Sequence, residues 1–237
     1  MKKILLFILL VSGCTGQVEW TFYVLDENVT EYSLKDITYL ETEEIEEVII
    51  ETEIEKVTWE GVPAQKVGKG DIINFISEDG YLVSIPYHVD VILAFRKDGN
   101  PITKEDGGPL KIAVDPYYGC KCNWLKYLKI VEFVDSDNSL SVYGEVVNML
   151  TFSPRDLNLY YGLDDILNNT YTEVPFLFIL DKAICKQNTT TITFITGEGR
   201  YSYSLSEIRD MDLILVYDNG FHVHGLGITD LKGIKIE

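Results

Sequence analysis

The 237 residues, 46% of them hydrophobic, suffice for one large core or two small ones. Acids outnumber bases 38 to 20, for a formal charge of −18. A surface of that sign repels phosphate backbones and excludes nucleic acid as a partner.

The chain opens on Lys2-Lys3 and an apolar run from Ile4 to Val11, too short to span a bilayer. Val11-Ser12-Gly13-Cys14 sets small residues before a cysteine, as in a lipoprotein signal. Residues 1–14 therefore read as a signal peptide with its lipobox. Cys14, once lipidated, would hold the chain at the extracytoplasmic face of a cell membrane. An ordinary signal peptide is the alternative.

Trp20 to Asp26 reads as a strand. Ser33, with Asp36 three residues on, caps a short helix running through Leu40. Glu41 to Glu60 alternates acids with Ile and Val, the period of a strand with one wet face. Pro63 starts a short helix to Val67. Ile72–Ile76 and Tyr81–Ile85 form a hairpin across Ser77-Glu78-Asp79-Gly80. Three apolar runs follow: Val91–Phe95, then Leu110–Val114 behind a Gly-Gly-Pro elbow, then Leu125–Val134.

Polar Asp135–Ser139 is the best boundary in the chain. Beyond it, Ser153-Pro154-Arg155-Asp156 specifies a second capped helix. Gly197-Glu198-Gly199 is a hairpin turn and not a nucleotide loop. No nucleophile elbow, phosphate-cradling loop or zinc-protease signature is present.

Landmarks recur roughly 120 residues apart, as long-period repeats do: Ser33 and Ser153, Val62-Pro63 and Val174-Pro175, Phe75–Gly80 and Phe194–Gly199, Gly99 and Gly220. After Gly220 the spacing contracts, so that Leu128 corresponds to Leu231. The second half thus lacks about 18 residues, those of the elbow and the Cys120-Lys121-Cys122 loop. Two tandem domains are expected, residues 20–135 and a trimmed copy over 139–237.

Leu93-Ala94-Phe95, Asp98-Gly99-x-Pro101-Ile102, Gly108-Pro109-Leu110-Lys111-Ile112, Val114-x-Pro116, Gly119-x-Lys121 and Trp124-Leu125 follow one another in order. This series resembles the C-terminal half of the sulfite-oxidase-type molybdopterin-binding domain. Leu140 to Asn148, with Ser153 to Leu157, resembles the opening of the same domain. The resemblance implies an α+β fold, mostly β.

It also implies that the molybdenum ligand is a cysteine on the strand upstream of Trp59-Glu60-Gly61-Val62-Pro63. That stretch, Val48–Trp59, contains no cysteine, and the corresponding position falls near Glu51 or Thr52. The equivalent Tyr160–Val174 also lacks one. For the pterin phosphate, the resemblance points to Lys111 at the family's arginine position and Lys121 in the loop, while Asn123 replaces a lysine. His88 is a further possible donor.

Cys120 and Cys122 could hold a soft metal, or one could pair with Cys185. His222 and His224, with Asp218 or Asp230, are a weaker metal candidate. The favoured expectation is a protein without cofactor, acting as an extracytoplasmic binding or interaction module for a small ligand or a membrane redox protein. A molybdopterin-dependent oxidoreductase with a non-standard thiolate, or an accessory subunit of a membrane redox complex, is the alternative.

Overall fold

Alternating apolar residues build the first half from two packed sheets. The computed structural model describes residues 19–50, 54–118 and 123–237. Strands β1 (Thr21–Leu25) and β2 (Val29–Ser33) form a hairpin that ends on α1 (Leu34–Ile37). Ser33 caps α1: its N–H donates to the Asp36 carboxylate at 2.7 Å, and the Asp36 N–H donates back to Ser33 Oγ at 3.3 Å.

The acidic stretch is not the single strand that its alternation predicts. It is a hairpin of β3 (Glu43–Ile50) and β4 (Ile54–Pro63), closed by the pair Ile50 and Ile54. Strands in globular proteins run to about ten residues, so twenty alternating ones fold back on themselves. A 3-10 turn, Ala64–Lys66, follows Pro63.

The predicted hairpin is β5 (Ile72–Ser77) with β6 (Leu82–Pro86). Next come β7 (Val91–Lys97), β8 (Asn100–Pro101), β9 (Lys111–Val114) and β10 (Leu128–Val134). One sheet runs β2-β1-β10-β5-β6, with β1 and β10 parallel. The other runs β3-β4-β7-β8, with β9 also paired to β7. Between them lie Phe22, Ile73, Phe75, Leu93, Ile112 and Val131, all buried.

The second half contains β11 (Leu140–Gly144), β12 (Leu150–Phe152), α2 (Leu163–Asn168), β13 (Glu173–Pro175) and α3 (Phe176–Ala183). It continues with β14 (Thr191–Thr196), β15 (Arg200–Ser204), α4 (Leu205–Arg209), β16 (Ile214–Tyr217), β17 (Phe221–His224) and β18 (Ile228–Ile236). The helix expected after Ser153 is a 3-10 segment, Arg155–Tyr160. Its cap is nonetheless the reciprocal pair read from sequence, with the Ser153 N–H 2.7 Å from Asp156 and the Asp156 N–H 3.1 Å from Ser153 Oγ.

Here β12-β11-β18-β14-β15 is a hydrogen-bonded path, and β11 and β18 are parallel. Strand β18 also pairs with β17, which joins all eight strands into one sheet. Between β16 and β18 there is only β17, where the first half interposes β8 and β9 between β7 and β10.

The first sheet is buried on both faces. Phe75 and Val131 point into the first-half core, while Ile76 and Ile130 join a cluster with Leu140, Phe152 and Leu180 of the second half. This explains why Ile72–Ile76 reads as an almost unbroken apolar run. Among the described residues no helix is long and apolar enough to cross a membrane.

Candidate functional site

Strand β9 places Lys111. Leu110, Ile112 and Val114 enter the first-half core, so alternation turns Lys111 to the opposite face of the sheet, where Val57, Trp59, Ile92, Ala94 and Ala113 cluster. That face is closed by Trp124, and Lys111 is left only 5% exposed. Its Nζ stands 4.0 Å from the Trp59 ring centroid and 5.4 Å from that of Trp124. The two indoles meet edge to face at 6.1 Å. The Trp59 Nε1–H donates to the buried Glu47 carboxylate at 2.9 Å.

Burial pushes the Lys111 ammonium down to about 8, against the pull of the Glu47 charge. Nearby, Lys97 and Asp106 pair at 2.8 Å, their shared hydrogen bond raising the lysine and lowering the acid. The result is a cation held against two indoles, with the Glu47 and Asp106 carboxylates for charge.

A charge change beside two indoles alters their emission. Tryptophan fluorescence is therefore expected to titrate with a midpoint near pH 8 in the wild type and to be flat there in Lys111→Met. Identical curves for the two proteins would show that the amine does not ionise in this cage.

His88 is not brought to Lys111. The β7–β9 ladder runs from Val91 with Val114 to Ala94 with Lys111, and His88 lies beyond the Val91 end. Its ring is in an exposed turn whose flanking carbonyls, of Tyr87 and Val89, accept hydrogen bonds from Gln65. Lys121, Cys120, Cys122, Cys14, Glu51 and Thr52 lie outside the described residues. Cys185 is a free, half-buried thiol, and the partners considered for it, Cys120 and Cys122, are among those undescribed residues. Burial raises its pKa, opposed by Arg209.

His222 and His224 share one face of β17, but the His222 ring bonds the Asp218 carbonyl oxygen at 2.9 Å and Asp230 pairs with Lys232 at 2.8 Å. Among the described residues no three His, Cys, Asp or Glu side chains are grouped to hold a metal.

The sequence reading missed a buried acid pair where the halves meet. Glu132 on β10 and Asp156 lie together, with Glu132 Oε2 and Asp156 Oδ1 buried and without a hydrogen-bond partner, and burial pushes both carboxyls above their usual range. Ser153 Oγ donates to Glu132 at 2.6 Å, and Asn74 Nδ2 donates to Asp156 at 2.7 Å. The available signal was a lone acid inside the apolar run Leu128–Val134.

Beside this junction an open groove of about 380 Å³ runs between β6 and β11–β12. Ser84, Pro86, Tyr118, Tyr143, Met149 and Thr151 are among its lining residues, none of which is charged.

Sheets and short helices together make an α+β, mainly β, protein. The family model described as oxidoreductase molybdopterin binding domain matches residues 15–143, more than half of the chain, and the chain belongs to that family. Among solved structures it is similar to the sulfane dehydrogenase SoxCD from Paracoccus pantotrophus, at 12% identity and a TM-score of 0.42. That similarity covers 92% of this chain and 74% of the other. No curated protein matches the sequence.

Among the described residues, the donor set does not fit the family's metal. Soft thiolates suit such a centre, yet the described residues of the β3–β4 hairpin carry no sulfur, and Cys185, the one described cysteine, belongs to the other half.

Proposed function

We propose that the chain is an extracytoplasmic, lipid-anchored binding or interaction module, made of one molybdopterin-binding domain and a trimmed second copy, that has lost the molybdenum ligand. One observation carries this reading. The sequence from Val48 to Trp59, Glu51 and Thr52 included, contains no cysteine where a thiolate is needed. Lys111 agrees with it. The cation at the family's phosphate-binding position is enclosed by two indoles and faces a carboxylate inside the protein.

The second copy is supported by the two paths β2-β1-β10-β5-β6 and β12-β11-β18-β14-β15, which share order and strand sense. Its trimming accounts for β18. Without the elbow and loop, the counterparts of β9 and β10 have nothing to separate them, and one strand serves two ladders. The lipid anchor rests on Val11–Cys14, and the tether from Cys14 to β1 is short enough to keep the module near the bilayer. The uncharged groove between the halves suits a small neutral ligand. A membrane redox protein is the partner for an accessory role.

Protein matured in a molybdenum-replete host is expected to carry far less than one molybdenum per chain by elemental analysis. A second reading, an active oxidoreductase using Cys120 or Cys122, is favoured by the flanks of that loop, since Tyr118 and Trp124 both pack on the first-half core. Stoichiometric molybdenum that disappears in Cys120→Ser or Cys122→Ser would replace the first reading with the second.

A further inference from the structure

The second half carries a row of four touching rings. Tyr171 stacks on Tyr161 with centroids 3.8 Å apart and planes at 23°. Tyr161 meets Tyr160 edge to face at 5.0 Å, and Tyr160 meets Phe178 at 5.5 Å. Three chain segments supply them: the 3-10 segment and its end, the link from α2 to β13, and α3. The tyrosines stay 48%, 41% and 39% exposed in the order Tyr160, Tyr161, Tyr171. Large aromatic faces grouped in water and held in fixed geometry are a feature of recognition surfaces.

Charge selects the partner. From residue 155 to residue 184 the only bases are Arg155 and Lys182, whereas Glu173 lies at the rings and Asp164 and Asp165 follow Tyr161 in the chain by three and four residues. The Glu173 charge contributes to the raised pKa of Tyr161, after burial, and the Glu173 carbonyl accepts from the Tyr161 hydroxyl at 3.0 Å. One end of the row already holds a cation. Lys182 Nζ lies 5.5 Å from the Phe178 centroid and donates to the Gly80 carbonyl at 2.6 Å. Among the described residues no cation lies over the three tyrosines.

We propose that the Tyr160–Tyr161–Tyr171 row is the docking surface for a basic, arginine- or lysine-bearing segment of a partner protein. Guanidinium or ammonium groups settle on the open ring faces, their aliphatic stems cover the ring edges, and Glu173, Asp164 and Asp165 balance the charge. The charge of −18 draws such a partner in at low salt. The proposal rests on the interaction role above and names its surface.

The test uses the full chain and a fluorescent octa-arginine peptide, followed by anisotropy at two salt concentrations. Tyr160→Ser combined with Tyr161→Ser is expected to weaken binding about ten-fold, and Glu173→Gln about three-fold. Replacing Glu43, Glu44 and Glu46 by glutamine on the distant acidic hairpin should leave the affinity within about two-fold. The proposal is overturned if the peptide does not bind, if binding survives the tyrosine changes, or if it is lost with the hairpin acids.

Binding of neutral chitohexaose in place of the peptide would instead assign the row to sugar stacking, and would equally overturn it. Should the tyrosine variant fail to fold, Glu173→Gln decides, since it keeps every ring contact; an unchanged affinity then overturns the proposal. Molybdenum content is a separate readout. A metal-loaded chain that still binds the peptide would remove the interaction-module reading and leave this surface standing.

Discussion

At pH 7, Glu132→Gln is expected to be more stable than the wild type by about 2 kcal/mol, with the gain shrinking as the pH falls toward 4. Glu132 is 5% exposed and Asp156 is fully buried, and each keeps one carboxyl oxygen without a hydrogen-bond partner where the halves meet. Burial raises both carboxyls, and for Glu132 the Asp156 charge adds to the effect.

A carboxyl raised in the folded state contributes stability that is complete below its unfolded value of 4.5 and is lost as pH rises through the folded value. Within that window the wild type loses up to about 1.4 kcal/mol per pH unit, because the unfolded chain ionises and the folded one does not. Glutamine stands in for the protonated acid: its amide donates to Asp156 and its oxygen accepts from Ser153. Urea midpoints from pH 5 to 8 check this, and parallel curves for variant and wild type would refute it. Asp156→Ala should instead cost about 3 kcal/mol near pH 4, since it strands the donors of Ser153 and Asn74, and the cost should shrink as the pH rises and the raised carboxyl loses its contribution.

What the sequence made legible was local chemistry. Ser33 with Asp36 and Ser153 with Asp156 are caps decided within four residues. The β5–β6 hairpin has its glycine at Gly80, where φ is +78°. The hairpin hidden in Glu41–Glu60 was not legible, because the sequence from Glu41 to Glu60 contains no Gly, Pro, Asn, Asp or Ser to mark a turn.

Non-local contacts were equally invisible. Lys111 reads as a surface lysine until β4 brings Trp59 over it and the chain beyond Gly119 returns with Trp124. Glu132 reads as the wet face of a strand until the second half covers that face. A pattern of apolar and polar residues tells which side of a strand is dry; it does not reveal that a neighbouring half dries the other side too.

Gly61→Ala is expected to lower stability by about 3 kcal/mol, a fall in Tm of about 10 °C for a chain of this size. Gly61 sits where β4 bulges against β7, its register shifting between Glu60 and Gly61. A methyl group there would stand 2.6 Å from the Ala94 Cα and closer still to the Leu93 carbonyl oxygen. Both are backbone atoms in the centre of a sheet, with no side chain to swing aside. Gly199→Ala, where nothing lies within 4 Å, is the matched control and should melt within about 1 °C of the wild type.

The change also reaches the Lys111 cage. Strand β7 holds β4 on one side and β9 on the other, so pushing β4 outward separates Trp59 from the lysine that β9 presents. The fluorescence transition near pH 8 should therefore weaken in Gly61→Ala even below its melting temperature. A variant that melts like the wild type would mean the two backbones approach less closely than this sheet requires. One that melts early but keeps the full transition would mean the cage is held by Trp124 and Glu47 rather than by the strand crossing.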